Sequence, residues 1–328
     1  MMDKCDKLKH LQLYAANLVT NDTWRDLFKH YGTQLETVKL QWLDAAFEDD
    51  TVKEMVDHCP SLNRLKLKLC RRIGEESLTH IANLGHLEHL SLQIRNETSP
   101  PALVHLITSV GPNLRTLSLE KFIDADDTVL TAIRDSCTKL SKLRLADNDI
   151  ASDAGFTALF TDWKNAPLHH ADFSSTRDID NNNHSGPEDA IGLADAGFKA
   201  LMKHSGSHLG RLEIASCRHI TLQAFLDVFA EGHVYPALEH INLSFCNSVD
   251  TAVVAGVFKS CPALKKIIAF GCFDVLDVVV PRGIALIGVP KAQDAIEQFG
   301  VGIDLDEALD RMMELEVAAG AGAVLAAA

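Results

Sequence analysis

The chain has 328 residues, a formal net charge of −14, 6% aromatic residues and eight cysteines. That charge argues against a protein that coats DNA unaided, and so few rings argue against a stacking platform for single-stranded nucleic acid. Length alone suggests two domains, but an internal repeat runs through most of the sequence and points to one solenoid.

A leucine-rich strand phrase opens at Leu8, Leu35, Leu62, Leu87, Leu114, Leu140, Leu168, Leu209, Leu238 and Leu264, spaced 25 to 29 residues apart except for one gap of 41. In register, Leu62-Asn63-Arg64-Leu65-Lys66-Leu67, Leu114-Arg115-Thr116-Leu117-Ser118-Leu119 and Leu140-Ser141-Lys142-Leu143-Arg144-Leu145 all read L-x-x-L-x-L, the leucine-rich-repeat signature. The alternation sends Leu65 and Leu67 to one face of a short strand and Arg64, Lys66 and Lys68 to the other. Helical segments follow the strands, among them Thr51–His58, Asp127–Ser136 and Leu222–Ala230. Many open with acids (Asp49, Asp50, Glu75, Glu76, Asp126, Asp127, Asp153, Asp195, Asp250), which are expected to cap free amides and oppose the helix dipole. The expected fold is an α/β leucine-rich-repeat solenoid, a ribonuclease-inhibitor-like horseshoe of about ten repeats, with parallel strands on the concave face and helices outside.

The cysteines fall in two columns of this repeat. Cys5, Cys59, Cys137 and Cys261 stand three residues before an opening leucine; Cys70, Cys217, Cys246 and Cys272 stand eight after one. Asn148 takes the second column in the sixth repeat, so that column is expected beneath the turn leaving the strand and the first at helix ends. A metal site needs close pairs such as C-x2-C, and none exists. The opening residues do not read as a secretory leader, so small, buried, reduced cysteines are expected.

Residues 1–273 are assigned to the solenoid, 274–317 to a C-terminal capping segment and 318–328 to a frayed tail. Met2–Leu8 matches the helix-end phrase Arg134–Leu140, so the chain is expected to begin partway through a repeat, as a truncated product or with a partner over that end. The long gap holds an insertion, about residues 177–191, with the composition of a surface loop. In it Asp178, Asp180, Asn182 and Asp189 occupy positions 1, 3, 5 and 12 of a calcium loop. Asn183 replaces the required glycine, Asp replaces the final Glu, and no helix enters, so no metal is expected. In the last phrase Ile268 and Phe270 replace polar concave residues. With Val278–Val280 and Ile284–Val289 they are expected to close the final repeat, ahead of a helix over Asp304–Val317.

The outward strand positions carry eight basic residues (Lys39, Arg64, Lys66, Lys68, Lys142, Arg144, Arg211, Lys266) and three acids (Glu120, Asp172, Glu213). One column, His10, Thr37, Arg64, His89, Thr116, Lys142, His170, Arg211, His240 and Lys266, contains no acid. This reads either as a solvated polar face or as a site for an acidic partner surface or a phosphate backbone. The candidate contact residues are Lys39, Arg64, Lys66, Lys68, Lys142 and Arg144. No phosphate loop or nucleophile elbow is present, and His169-His170 has no acid partner at fixed spacing, so neither catalysis nor a cofactor is expected.

The phrase Leu264-Lys265-Lys266-Ile267-Ile268-Ala269-Phe270-Gly271-Cys272-Phe273-Asp274-Val275, with Val278–Gly288 after it, resembles the end of the fungal nucleotide-excision-repair proteins of the Rad-seven family. The cysteine-containing repeats are similar to that family and, more broadly, to F-box substrate receptors. The resemblance implies a nuclear, non-enzymatic adaptor that acts with a Snf-type ATPase on damaged DNA and joins a cullin ubiquitin ligase through elongin C or a Skp-like adaptor. It implies indirect or weak contact with DNA and no membrane or small-molecule ligand. The family's region ahead of the repeats, where elongin C is expected to bind, is missing from this sequence. The rival readings are an F-box-type receptor without a repair role, and a ribonuclease-inhibitor-like or GTPase-regulating scaffold.

Overall fold

The computed structural model describes residues 7–289 apart from 44–45, 95–97, 123–124, 149–150, 177–191 and 277. The acid-rich insertion, the expected helix over Asp304–Val317, the tail and Cys5 lie outside the described residues.

Among the described residues eleven strands form one parallel sheet in strict sequence order. They are β1 (His10–Tyr14), β2 (Thr37–Leu43), β3 (Arg64–Cys70), β4 (His89–Gln93), β5 (Thr116–Glu120), β6 (Lys142–Arg144), β7 (His170–Asp172), β8 (Arg211–Glu213), β9 (His240–Asn242), β10 (Lys266–Ile268) and β11 (Ala285–Ile287). Helices cross between them: α1 (Asn21–Tyr31), α2 (Asp49–His58), α3 (Glu75–Ile81), α4 (Pro100–Val110), α5 (Asp127–Ser136), α6 (Asp153–Asp162), α7 (Asp195–Ser205), α8 (Leu222–Val228) and α9 (Thr251–Ser260). A parallel pair needs such a crossover, and repeating it in one direction yields the leucine-rich-repeat solenoid. The register links each residue of the leading column to its counterpart one repeat on, as in Thr37 to Arg64, Arg64 to His89 and Thr116 to Lys142. The expected closing strand is β11, which pairs in parallel with β10. Val278–Val280 does not join it, and Val279 is 89% exposed.

The opening leucines from Leu35 to Leu264 are all buried, none more than 5% exposed. With the inward strand residues they form one continuous core along the solenoid, each buried leucine contributing about 1.5–3 kcal/mol. Repeat seven breaks the pattern with Ala171 in place of a strand leucine. Phe173 fills the space, its ring edge-on to Phe156 at 5.3 Å and to Phe160 at 5.8 Å.

Both ends of each repeat are tied to the next repeat by polar bonds. At the turn leaving the strand, one residue lies in the left-handed region in nine of the ten leucine-phrase repeats: Ala15, Trp42, Leu69, Lys121, Asp147, Ser175, Ser216, Phe245 and Gly271, with φ from 50° to 68°. For a side-chain-bearing residue this costs about 1–2 kcal/mol. The geometry aims the amide at the next repeat, as in Lys121 N–H to Ala146 O (3.1 Å), Ser175 to Ala215 (2.7 Å) and Ser216 to Ser244 (2.7 Å). Beneath the turn, the thiols of Cys217, Cys246 and Cys272 donate back to the carbonyls of Phe173, Ile214 and Leu243, each at 3.1 Å. Asn148 Nδ2 makes the same bond to Leu119 O at 3.3 Å, and its Oδ1 accepts from Phe122 N–H at 2.9 Å. The seven described cysteines are free and buried. Burial pushes the thiols of Cys59, Cys137 and Cys261, at the ends of α2, α5 and α9, up to about 12.

The acids at the helix starts do more than the sequence suggests. Asp126 and Asp250 cap their own helices. Asp49, Glu75, Asp127, Asp153 and Asp195, each the first residue of its helix, reach across to the start of the following one. Asp49 Oδ1 accepts from Gly74 and Ser77 amides at 2.8 and 3.2 Å, and Asp127 Oδ1 from Ser152 N–H at 2.7 Å. Asp153 receives three amides, from Ala194, Ala196 and Gly197. At two of these bridges the facing helix carries a glycine where a side chain would collide, while Ser77 uses its hydroxyl to join the bridge from Asp49. A Cβ on Gly155 would lie 2.1 Å from Asp127 Oδ1, and one on Gly197 2.6 Å from Asp153 Oδ1. Gly155→Ala is therefore expected to destabilise the protein by about 1–3 kcal/mol. Gly85→Ala, with open space around it, should be neutral or stabilising by up to about 1 kcal/mol. Urea denaturation of the two variants side by side checks this.

Candidate protein-interaction face

The face opposite the helices carries three side-chain columns, set by the period-two alternation of the strands. The leading column is the outermost: Arg64 and Lys142 are exposed, and His89, His170 and Arg211 are half-buried. The middle column runs through Lys39, Lys66, Ser91, Ser118, Arg144, Asp172 and Glu213. The inner one runs through Gln41, Lys68, Gln93 and Glu120, all at most 5% exposed.

This inner polar layer is internally neutralised. Lys68 Nζ stands 2.8 Å from Glu120 Oε1, passing the intervening strand β4 to reach it. Arg144 approaches the same carboxylate at 3.3 Å and Asp172 at 2.9 Å, and Arg211 pairs with Glu213 at 2.7 Å. Ser118 Oγ donates to Glu120 at 2.9 Å. Burial raises the Glu120 carboxyl, but Arg144 and Lys68 outweigh it, and the group is held below the usual carboxylate range.

The structure thus divides the six residues singled out by the sequence. Arg64 and Lys142 point to solvent and form no ion pair with any described residue. Lys39 and Lys66 are half-buried in adjacent strands, register partners across β2 and β3. Lys68 does not belong with them as a contact residue: it is 5% exposed and its charge serves Glu120. Arg144 is likewise committed to Glu120 and Asp172. Strand alternation predicted the face of each residue but not these pairings, which join strands far apart in sequence.

Two features were not assigned from sequence. One is this ion-pair layer. The other is an exposed apolar end: Phe245, Phe270, Phe273, Leu276 and Val279 are 49%, 48%, 84%, 60% and 89% exposed. Phe270 stays half exposed although β11 pairs with β10 beside it. Gly271 and Gly288 admit its ring and that of Phe245 against the backbone, where a Cβ would lie 2.5 Å from Phe245 or 2.8 Å from the Phe270 ring. Among the described residues no group of three or more His, Cys, Asp or Glu is placed to hold a metal. No helix of the described residues is long and apolar enough to cross a membrane.

The face thus combines a basic outer column with a self-paired inner layer. The chain is 24% identical over 280 residues to the DNA repair protein rhp7 of Schizosaccharomyces pombe, covering 84% of this chain and 46% of that protein. It is 24% identical over 301 residues to the DNA repair protein RAD7 of Saccharomyces cerevisiae, covering 87% and 49%. The chain is homologous to the Rad7/Rhp7 proteins. It spans about half the length of these curated relatives. A crystal structure of yeast Rad7 in complex with Elc1 shares the fold, with a TM-score of 0.71 and 20% identity over 89% of this chain and 70% of that one. No family model matches the sequence.

Two outcomes follow from the geometry. Lys68→Ala leaves Glu120 buried with one partner fewer and should cost about 3–5 kcal/mol, whereas Arg64→Ala should stay within about 0.5 kcal/mol; denaturation midpoints separate the two. Second, His170 is held neutral: burial pushes its imidazole down to about 4, with the Lys142 and Arg211 charges opposing protonation and Asp172 and Glu213 favouring it. The unfolded chain binds this proton near pH 6.5 and the folded one does not. Stability therefore falls as pH drops from about 6.5 toward 4, by about 2 kcal/mol at pH 5 for this group. His170→Asn should flatten that part of the pH dependence of the urea midpoint.

Proposed function

We propose that the chain is the repeat scaffold of a nuclear, nucleotide-excision-repair ubiquitin-ligase subunit. The protein acts by surface binding, not catalysis, bringing a Snf-type ATPase and, through elongin C, a cullin to damaged DNA that it meets only indirectly. The observation that carries the reading is the fold likeness to Rad7 crystallised with Elc1, joined to homology with two DNA repair proteins. Partner contact is assigned to Arg64 and Lys142 of the outer column and Lys39 and Lys66 of the middle one, since a rigid arc gains affinity from a few well-placed anchors among many small contacts.

Affinity purification of the chain from fungal nuclear extract, with bound proteins identified by mass spectrometry, tests this. Recovery of a Snf-type ATPase with elongin C is the expected result. Recovery of Skp- and cullin-type subunits without the ATPase would shift the function to a general substrate receptor. Recovery of none of these by the folded chain would overturn the proposal.

A further inference from the structure

Two features of the helix-free face lie outside the ion-pair layer. The first is the leading column. Several charged positions on both sides of it are ion-paired. Before it, Lys9 pairs with Glu36 at 2.5 Å, Arg115 with Glu88 at 3.4 Å and Lys265 with Glu239 at 2.8 Å. After it Lys68 and Arg144 pair with Glu120 and Asp172, and within it Arg211 pairs with Glu213 at 2.7 Å. The column itself has no acid, and in it Arg64 and Lys142 stand exposed. Strands lie about 4.8 Å apart, so from β1 to β10 the column makes a ridge about 40 Å long.

The second feature is the apolar end. At β10 the middle and inner positions become Ile268 and Phe270. Ile287 is the register neighbour of Ile268 in β11. Phe245 and Phe273 extend this terrace at the turn edge. Contiguous exposed apolar surface of this kind marks an interaction site. It begins one strand step from Lys266, the last residue of the basic ridge.

A ligand that meets both features needs negative charge along its length and an apolar anchor at one end. Duplex DNA supplies the charge but no anchor, and a net charge of −14 opposes a long polyanion more than a short one. We infer that this face docks an extended acidic polypeptide segment, its carboxylates along the Arg64–Lys142–Lys266 column and an aliphatic or aromatic side chain against Phe245, Phe270 and Phe273. About 12 extended residues cover the ridge. This rests on the reading of the face as the partner surface and adds the chemistry of what it binds.

The test is fluorescence anisotropy of the purified full chain with labelled peptides of roughly 14 residues. They alternate Glu and Ser, with Leu-Phe at the amino end, at the carboxyl end or at neither, and a DNA duplex of about 20 base pairs runs beside them. One anchored peptide should bind at least about tenfold tighter than the anchorless one, because a buried Leu or Phe contributes that much. The double variant Arg64→Glu/Lys142→Glu should abolish binding. Phe270→Asp should weaken it by about tenfold, and so should Phe273→Asp, whose site is too exposed to matter for folding. Equal binding of anchored and anchorless peptides, binding of the duplex alone, or indifference to these variants would overturn the inference. The double variant, passed through the extract purification, tells the two failures apart. If it keeps every partner, the partner-face reading falls with the inference. If it loses them while no peptide binds the unaltered chain, only the chemistry assigned here falls.

Discussion

Each strand of this protein must end in a turn that points carbonyl groups into a closed interior, and the rest of the structure depends on how those carbonyls are met. An unpaired one costs about 1–3 kcal/mol, and the turn recurs once per repeat. Here much of the solution is inter-repeat. A left-handed residue sends its amide forward to the next turn, and a thiol or the Asn148 amide sends a bond backward. Both bonds exist only when the neighbouring repeat is stacked in register, so no repeat satisfies its own backbone alone. The carboxylates at the helix starts apply the same rule on the far side. Asp153 closes three amides that α7 leaves open, in place of a cap within that helix.

This coupling explains the distribution of charge. Stacking places like columns about 4.8 Å apart, which is unfavourable for a buried row of cations and tolerable for a solvated one. Charge is therefore sorted by depth. Beneath the outer column Lys68 and Arg144 have carboxylates, and Arg211 of that column reaches down to Glu213, whereas the exposed Arg64 and Lys142 have none. The imidazoles interleaved there, His89, His170 and His240, are held toward the neutral form by burial and by the flanking cations, so they relieve the row of charge.

Much of this was legible in the residue order. The leucine phrase located the strands, because a period of about 27 with internal alternation has few other solutions. The two cysteine columns told turn from helix end, and Ile268 with Phe270 signalled that the last leucine phrase differs. What was not legible depends on reach and backbone conformation instead of period. Nothing in Leu69, Lys121 or Ser216 announces a left-handed residue, since glycine takes the column only at Gly271, where the Phe245 ring leaves no room for a Cβ. The Lys68–Glu120 pair skips a strand, so neither residue's spacing reveals the other. The carboxylate bridges looked like ordinary caps because Asp127 sits where a cap for its own helix would also place an acid.

Identity of 24% with relatives of the same architecture is what such a scheme permits. In a solenoid each repeat answers only to its neighbours, so the constrained positions are the leucine phrase, the turn donor and the helix-start acceptor. The outer column answers to none of these: Arg64 and Lys142 could be exchanged for other polar residues with no bond lost to the stack. Homology therefore carries the scaffold from one member to another far better than it carries the binding surface. What this chain binds has to be read from its own exposed residues, and these place an acid-free basic ridge beside an uncovered aromatic end.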